Sequence, residues 1–213
     1  MADRALLVDF GGVLTTSVFE SFLAFCDDEG IDRELFKSVV LAAAREPGSP
    51  FARVETGAIS QEDFDTQLAA ILGEACGRPI EPAGLKARLF ARALPEAAMH
   101  DVVRAVRASG IPTVLVSNSW GGDDYPMAEL GRLFDHVVIS GHVGMRKPEP
   151  DIYLYAARVA QASPGSCVFV DDLRVNVEGA ERVGMTGILH REVARTIALL
   201  GEHLALELPG VAG

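Results

Sequence analysis

The chain has 213 residues, 30 acidic against 19 basic, for a formal net charge of −11. That charge is spread without blocks, so the surface repels phosphate backbones and non-specific nucleic-acid binding is not expected. At 49% hydrophobic it carries apolar material for a substantial core, yet no apolar stretch reaches the ~18 residues that suggest a membrane span.

The first element is a strand at 5–8, "ALLV", running into Asp9 and the pair Gly11-Gly12. Continuous apolar runs of this kind suit a parallel sheet covered on both faces. About 80 residues without a convincing strand follow. Helical spacing predicts helices over 18–29, 33–45, 61–76 and 83–93, with Ser60 and Asp63 forming a capping box and Pro82 suited to a first helical turn. An insert this long is too large for a loop and reads as a small all-helical unit standing over the sheet edge. Beyond it, strands are expected at 112–116, 137–139, 167–170 and 187–189, and helices at 96–109, 151–161 and 175–183. The alternation implies right-handed crossovers and a doubly wound, Rossmann-like α/β sheet with helices on both faces. The expected division is a core of 1–15 and 94–213 and a helical unit of 16–93.

Cys26, Cys76 and Cys167 show no C-x-x-C spacing. This points away from a disulfide framework or zinc site and toward a reducing cytoplasm. The stretch before the first strand does not read as a signal peptide.

In open α/β sheets, ligands bind outside the carboxyl ends of the strands. Here the first strand ends in Asp9, "TVLV" ends in Ser117-Asn118, and "CVFV" ends in Asp171-Asp172. "GMRKPEP" adds Lys147 in a loop before a helix. Together these groups offer carboxylates for a hard dication, a hydroxyl and amides for oxyanions, and one fixed positive charge. Two adjacent carboxylates after a buried strand repel each other unless a cation or donors lie near.

With these motifs the chain resembles the haloacid dehalogenase-like superfamily over nearly its whole length. "DFGGVL", "VSNSW", "VGMRKPEPDIY" and "VFVDDLRVNVEGAERVGM" are similar to its four motifs. The likeness is strongest to phosphatases with a helical cap after the first motif, including the N-terminal phosphatase domains of soluble epoxide hydrolases and bacterial sugar-phosphate phosphatases. The resemblance implies a Mg²⁺-dependent phosphatase acting on a small phosphorylated metabolite, with no nucleic-acid or membrane partner, as a monomer or homodimer. It gives Asp9 the attack on phosphorus, and Gly12, Ser117, Asn118 (backbone and side chain) and Lys147 the phosphoryl group. Mg²⁺ falls to Asp9, the Gly11 carbonyl and Asp172, supported by Asp171 and Asn176. A carboxylate attacks a phosphate dianion only when a dication and a lysine screen the repulsion.

Phosphatases of the family usually read D-x-D in the first motif, and the second Asp protonates the leaving oxygen. Gly11 stands there instead, removing a group that contributes ~10²–10⁴-fold. Asp123, Asp124 and His142 are candidate replacements. Gly11 also fits a 2-haloacid dehalogenase-like reading, which Asp171-Asp172 opposes, and a non-catalytic phosphate-sensing reading, which the intact Asp9, Lys147 and Asp172 oppose. A phosphonate-cleaving relative would use a cap lysine, for which Lys37 and Lys86 are candidates. Arg45, Arg53 and Phe51 in the cap, and Trp120 in "SWGGDDYP", are candidates for substrate contact or for plain packing.

Overall fold

In the computed structural model, residues 3–46, 48–121 and 125–210 are described. Five strands form one parallel sheet: β1 (Ala5–Val8), β2 (Thr113–Ser117), β3 (His136–Ile139), β4 (Cys167–Asp171) and β5 (Thr186–Leu189), in the order β3-β2-β1-β4-β5. The central strands β1, β2 and β4 are buried along their whole length, which is why they read as unbroken apolar runs.

The two sheet faces carry separate apolar cores. Leu6, Val8, Leu115, Val168 and Val170 pack with Met99, Val103 and Val106 of one helix (Ala97–Ala108) and Ile197, Leu200 and Leu204 of another (Val193–Leu204). The alternate residues Ala5, Leu7, Val114, Val116, Cys167 and Phe169 pack with Ile152, Tyr153 and Ala156 of a helix at Pro150–Val159. The period-2 alternation of β-structure thus sorts one run of hydrophobics into two layers.

Between β1 and β2, five helices precede Ala97: α1 (Val18–Glu29), α2 (Arg33–Arg45), α3 (Pro50–Glu55), α4 (Gln61–Cys76) and α5 (Leu85–Leu89). They bury a third core, with Phe22, Phe25, Phe36, Phe51, Phe64, Leu68 and Leu89 in it. The two chain segments leading into and out of this helical unit meet in an antiparallel bridge at Thr15 and Pro95. The expected helix over 83–93 is observed only at Leu85–Leu89; after it the chain turns toward Pro95. Helix α3 was not expected from the sequence. Ser49 caps it, donor Ala52 N–H to the Ser49 hydroxyl at 3.2 Å, and Pro50 opens it. No helix among the described residues is long and apolar enough to cross a membrane.

Candidate active site

Asp9, Ser117 and Asp171 lie at the carboxyl ends of β1, β2 and β4, next to one another in the sheet. Lys147 reaches the same point from the loop before the Pro150–Val159 helix. Its ammonium lies 2.7 Å from Asp9 Oδ1 and 2.7 Å from Asp171 Oδ2, with 1% of the side chain exposed. Burial disfavours the charged lysine, but the carboxylates of Asp171 and Asp9 outweigh it and hold Lys147 protonated well above the usual lysine range.

Asp171 is fully committed. Besides Lys147 it accepts from Leu173 N–H at 2.8 Å and from Asn176 Nδ2 at 3.1 Å on both oxygens. Asn176 is itself buried and its carbonyl accepts from Tyr153 Oη at 2.7 Å. Asp9 Oδ1 accepts a second bond from Phe10 N–H at 2.7 Å.

Asp9, Asp171 and Asp172 bring carboxylate oxygens within 4.8 Å of one another. Burial first, and then Asp171, push the Asp9 carboxyl well above the usual carboxylate range, against the pull of Lys147. The same two causes push Asp172 up to about 6. Three carboxylates around one ammonium leave excess negative charge in a buried site, and their donors are all hard oxygens. This set of oxygens fits a Mg²⁺-like dication; Asp171 is occupied by Lys147 and Asn176, which leaves Asp9 and Asp172 as the carboxylates for it.

Gly12 has a φ of +74°, and a Cβ there would come within 2.4 Å of Asp172 Oδ2. Glycine is required on both counts, because it lets the β1 loop and the Asp172 carboxylate share one space. Gly11 is different. Its backbone is not left-handed, and a Cβ would meet only Val18 Cγ2 at 3.0 Å.

Ser117 is buried, and its hydroxyl pairs at 2.8 Å with the Tyr125 hydroxyl, a partner the sequence did not signal. The Asn118 side chain differs from the expectation that it holds a phosphoryl group. Its Oδ1 accepts from Lys147 N–H at 2.8 Å and its Nδ2 donates to the Lys147 carbonyl at 3.0 Å. It clamps the peptide that carries the lysine.

Trp120 is a packing residue. Its ring sits 5.2–5.4 Å from those of Phe22, Phe51, Phe64 and Phe90, so a loop of the sheet side is anchored in the helical unit. Phe51 is buried in the same cluster. Lys86 donates to the Gly121 carbonyl, Lys37 pairs with Glu34 at 2.5 Å, and the exposed Arg53 donates to Gln67 at 3.3 Å. His142 is exposed, in a short helix at Ser140–Val143. Asp123, Asp124 and the side chain of Arg45 lie outside the described residues.

Sequence reasoning missed Glu55. It ends α3, is 8% exposed, and places Oε2 2.8 Å from Arg146 Nε across the seam between helical unit and sheet. The Ser49-Pro50 start of α3 was the signal available for it.

The chain is similar to known proteins. Epoxide hydrolase 2 of pig, named as bifunctional, is 26% identical over 226 residues, 98% of this chain but 40% of that protein. The chain therefore spans less than half the length of the epoxide hydrolases it matches. A Mycobacterium tuberculosis protein named as a phosphatase is 33% identical over 142 residues, 65% of this chain and 64% of its own. A Bacteroides thetaiotaomicron enzyme solved with magnesium and inorganic phosphate superposes with a TM-score of 0.64 at 20% identity, covering 88% of this chain and 94% of its own, and so shares the fold. The profile of the haloacid dehalogenase-like hydrolases matches residues 4–184, nearly the whole sheet and all of the inserted helices, and the chain belongs to that family of enzymes.

Proposed function

We propose that the chain is a Mg²⁺-dependent phosphatase of small phosphorylated metabolites that works through an aspartyl phosphate on Asp9. The observation carrying this reading is the Lys147 ammonium held between Asp9 and Asp171, with Asp172 alongside. An anionic nucleophile facing an anionic phosphoryl group needs that charge balance. The names of the relatives support the substrate class.

Asp9 attacks phosphorus and the bond to the leaving oxygen breaks; water then attacks the same phosphorus and releases Asp9. Ser117, the Asn118 N–H and the Gly12 loop hold the phosphoryl oxygens. Lys147 screens the nucleophile, and Asp171 with Asn176 holds that lysine in place. Asp9, Asp172 and the Gly11 carbonyl would hold the magnesium ion, which when bound supplies further charge neutralisation at the phosphoryl group. The helices of 16–93 act as a cap that excludes water, over a core of 1–15 and 94–213. We place the enzyme in the cytoplasm, as a monomer or homodimer.

Gly11 favours a second reading, halide release from a 2-haloacid by a related hydrolase. Asp172 beside Asp9 favours the phosphatase. The test is hydrolysis of p-nitrophenyl phosphate. The reading expects Mg²⁺-dependent turnover that Asp9→Asn abolishes. Metal-independent halide release without phosphate hydrolysis supports the dehalogenase, and phosphate binding without transfer from any donor supports a sensing module.

A further inference from the structure

We propose that Glu55, presented by the cap helix α3, is the acid and base that replaces the missing aspartate at position 11. This inference rests on the phosphatase reading and adds the group that moves the proton.

Position is the first argument. Glu55 is buried at the end of α3, and its Oε2 lies 2.8 Å from the Nε of Arg146, the residue next to Lys147 in the chain. Asn118 follows Ser117 and clamps the Lys147 peptide, so Glu55 pairs with the same Arg146-Lys147 segment that Asn118 fixes beside the strand ends. In-line displacement puts the leaving oxygen opposite the attacking Asp9. In the proposal the Glu55 carboxyl approaches that oxygen from the inserted helices.

The second argument is that Glu55 is incompletely used. Its Oε2 is 2.8 Å from Arg146 Nε, yet neither atom forms an aligned hydrogen bond. A buried carboxylate oxygen without such a bond is costly unless something else uses it. Burial pushes its carboxyl up to about 7, against the pull of Arg146 and Lys147, so both protonation states are populated near neutrality. Among the described residues the other ionisable groups acting on this carboxyl include Arg146, Lys147 and Tyr125. Lys147 stays protonated, and burial pushes the Tyr125 phenol up to about 12.

The steps balance. As Asp9 attacks and the P–O bond to the leaving group breaks, the Glu55 carboxylic acid gives its proton to the departing oxygen. The resulting carboxylate takes a proton from water as the water oxygen bonds to phosphorus and the P–O bond to Asp9 breaks. Phosphate leaves with Glu55 protonated again.

Rapid mixing of the full chain with Mg²⁺ and p-nitrophenyl phosphate separates the two halves. Nitrophenolate leaves without a proton, so Glu55→Gln is expected to keep phosphorylation and to slow water attack. The result is a burst of one nitrophenolate per enzyme followed by turnover about 100-fold below wild type. Gly11→Asp added to Glu55→Gln is expected to restore turnover, which relief of a merely structural defect would not do. The wild-type steady state rises with pH through about 7, since the base must be ionised, and that limb disappears in Glu55→Gln. Unchanged turnover in Glu55→Gln, or equal slowing of burst and steady state that Gly11→Asp does not restore, overturns the role of Glu55. Full turnover in Asp9→Asn overturns the phosphatase reading beneath it.

Discussion

Lys147 Nζ lies 2.7 Å from Asp9 Oδ1 and the same distance from Asp171 Oδ2, so one buried ammonium bridges the carboxylates at the ends of two neighbouring strands. Breaking a buried pair by removing one partner costs about 3–5 kcal/mol, because the remaining charge is stranded. Lys147→Met is expected to lose stability of that order in urea denaturation at pH 7 with EDTA, and to lose turnover. The deficit should shrink at pH 5, where the stranded carboxyls take up protons. A deficit independent of pH would show that packing rather than charge is lost.

Gly12 and Asp172 share one space. Gly12→Ala places a methyl on the Asp172 carboxylate and strains a backbone at φ +74°. The expected outcome is at least ~10-fold weaker Mg²⁺ binding by titration calorimetry, a loss of the size that misplaced ligand support produces. Wild-type affinity in this variant would mean that Asp172 does not contact the ion.

Asp172 also makes the metal-free protein sensitive to pH. Its carboxyl is raised from the ordinary 3.8 to about 6 by burial first and Asp171 second. A carboxyl whose folded value is raised contributes stability below its unfolded value, and that contribution is lost as pH rises through about 6. In EDTA at pH 7.5, Asp172→Asn is therefore expected to melt roughly 5 °C above wild type. Mg²⁺ should raise the wild-type midpoint and leave the variant little changed. Equal responses of the two proteins to Mg²⁺ would remove Asp172 from the site.

Trp120 ties the 119–121 segment to four phenylalanines of the stretch inserted between β1 and β2. Trp120→Ala is expected to cost about 3 kcal/mol in chemical denaturation and to speed protease cleavage within 16–93. The Mg²⁺-dependent thermal shift should persist, because the sheet edge is untouched.

The sheet and its edge were legible because fully buried parallel strands leave an unmistakable pattern. Ala5–Val8 and Cys167–Asp171 are short apolar strands, the first running straight into Asp9 and the second ending in Asp171. Helix α4 announced itself by its capping box and apolar spacing, and α1 and α2 by helical spacing, with their Ser17 and Asp32 caps visible only in the structure. Two things were not legible. The six residues of α3 bury Phe51, Val54 and Glu55 too briefly for a periodicity to emerge, so the carboxyl at its end passed as part of a loop. The Asn118 side chain turned out to bind the Lys147 peptide, a contact between residues far apart in sequence that no local pattern encodes.

The central claim is that Asp9 carries the phosphoryl group. Brief exposure to acetyl phosphate with Mg²⁺, acid quench and peptide mass mapping tests it directly. The account predicts one phosphoryl group on the peptide containing Asp9, lost in Asp9→Asn and longer-lived in Glu55→Gln. A label on another residue, or undiminished phosphate release by Asp9→Asn, would contradict it.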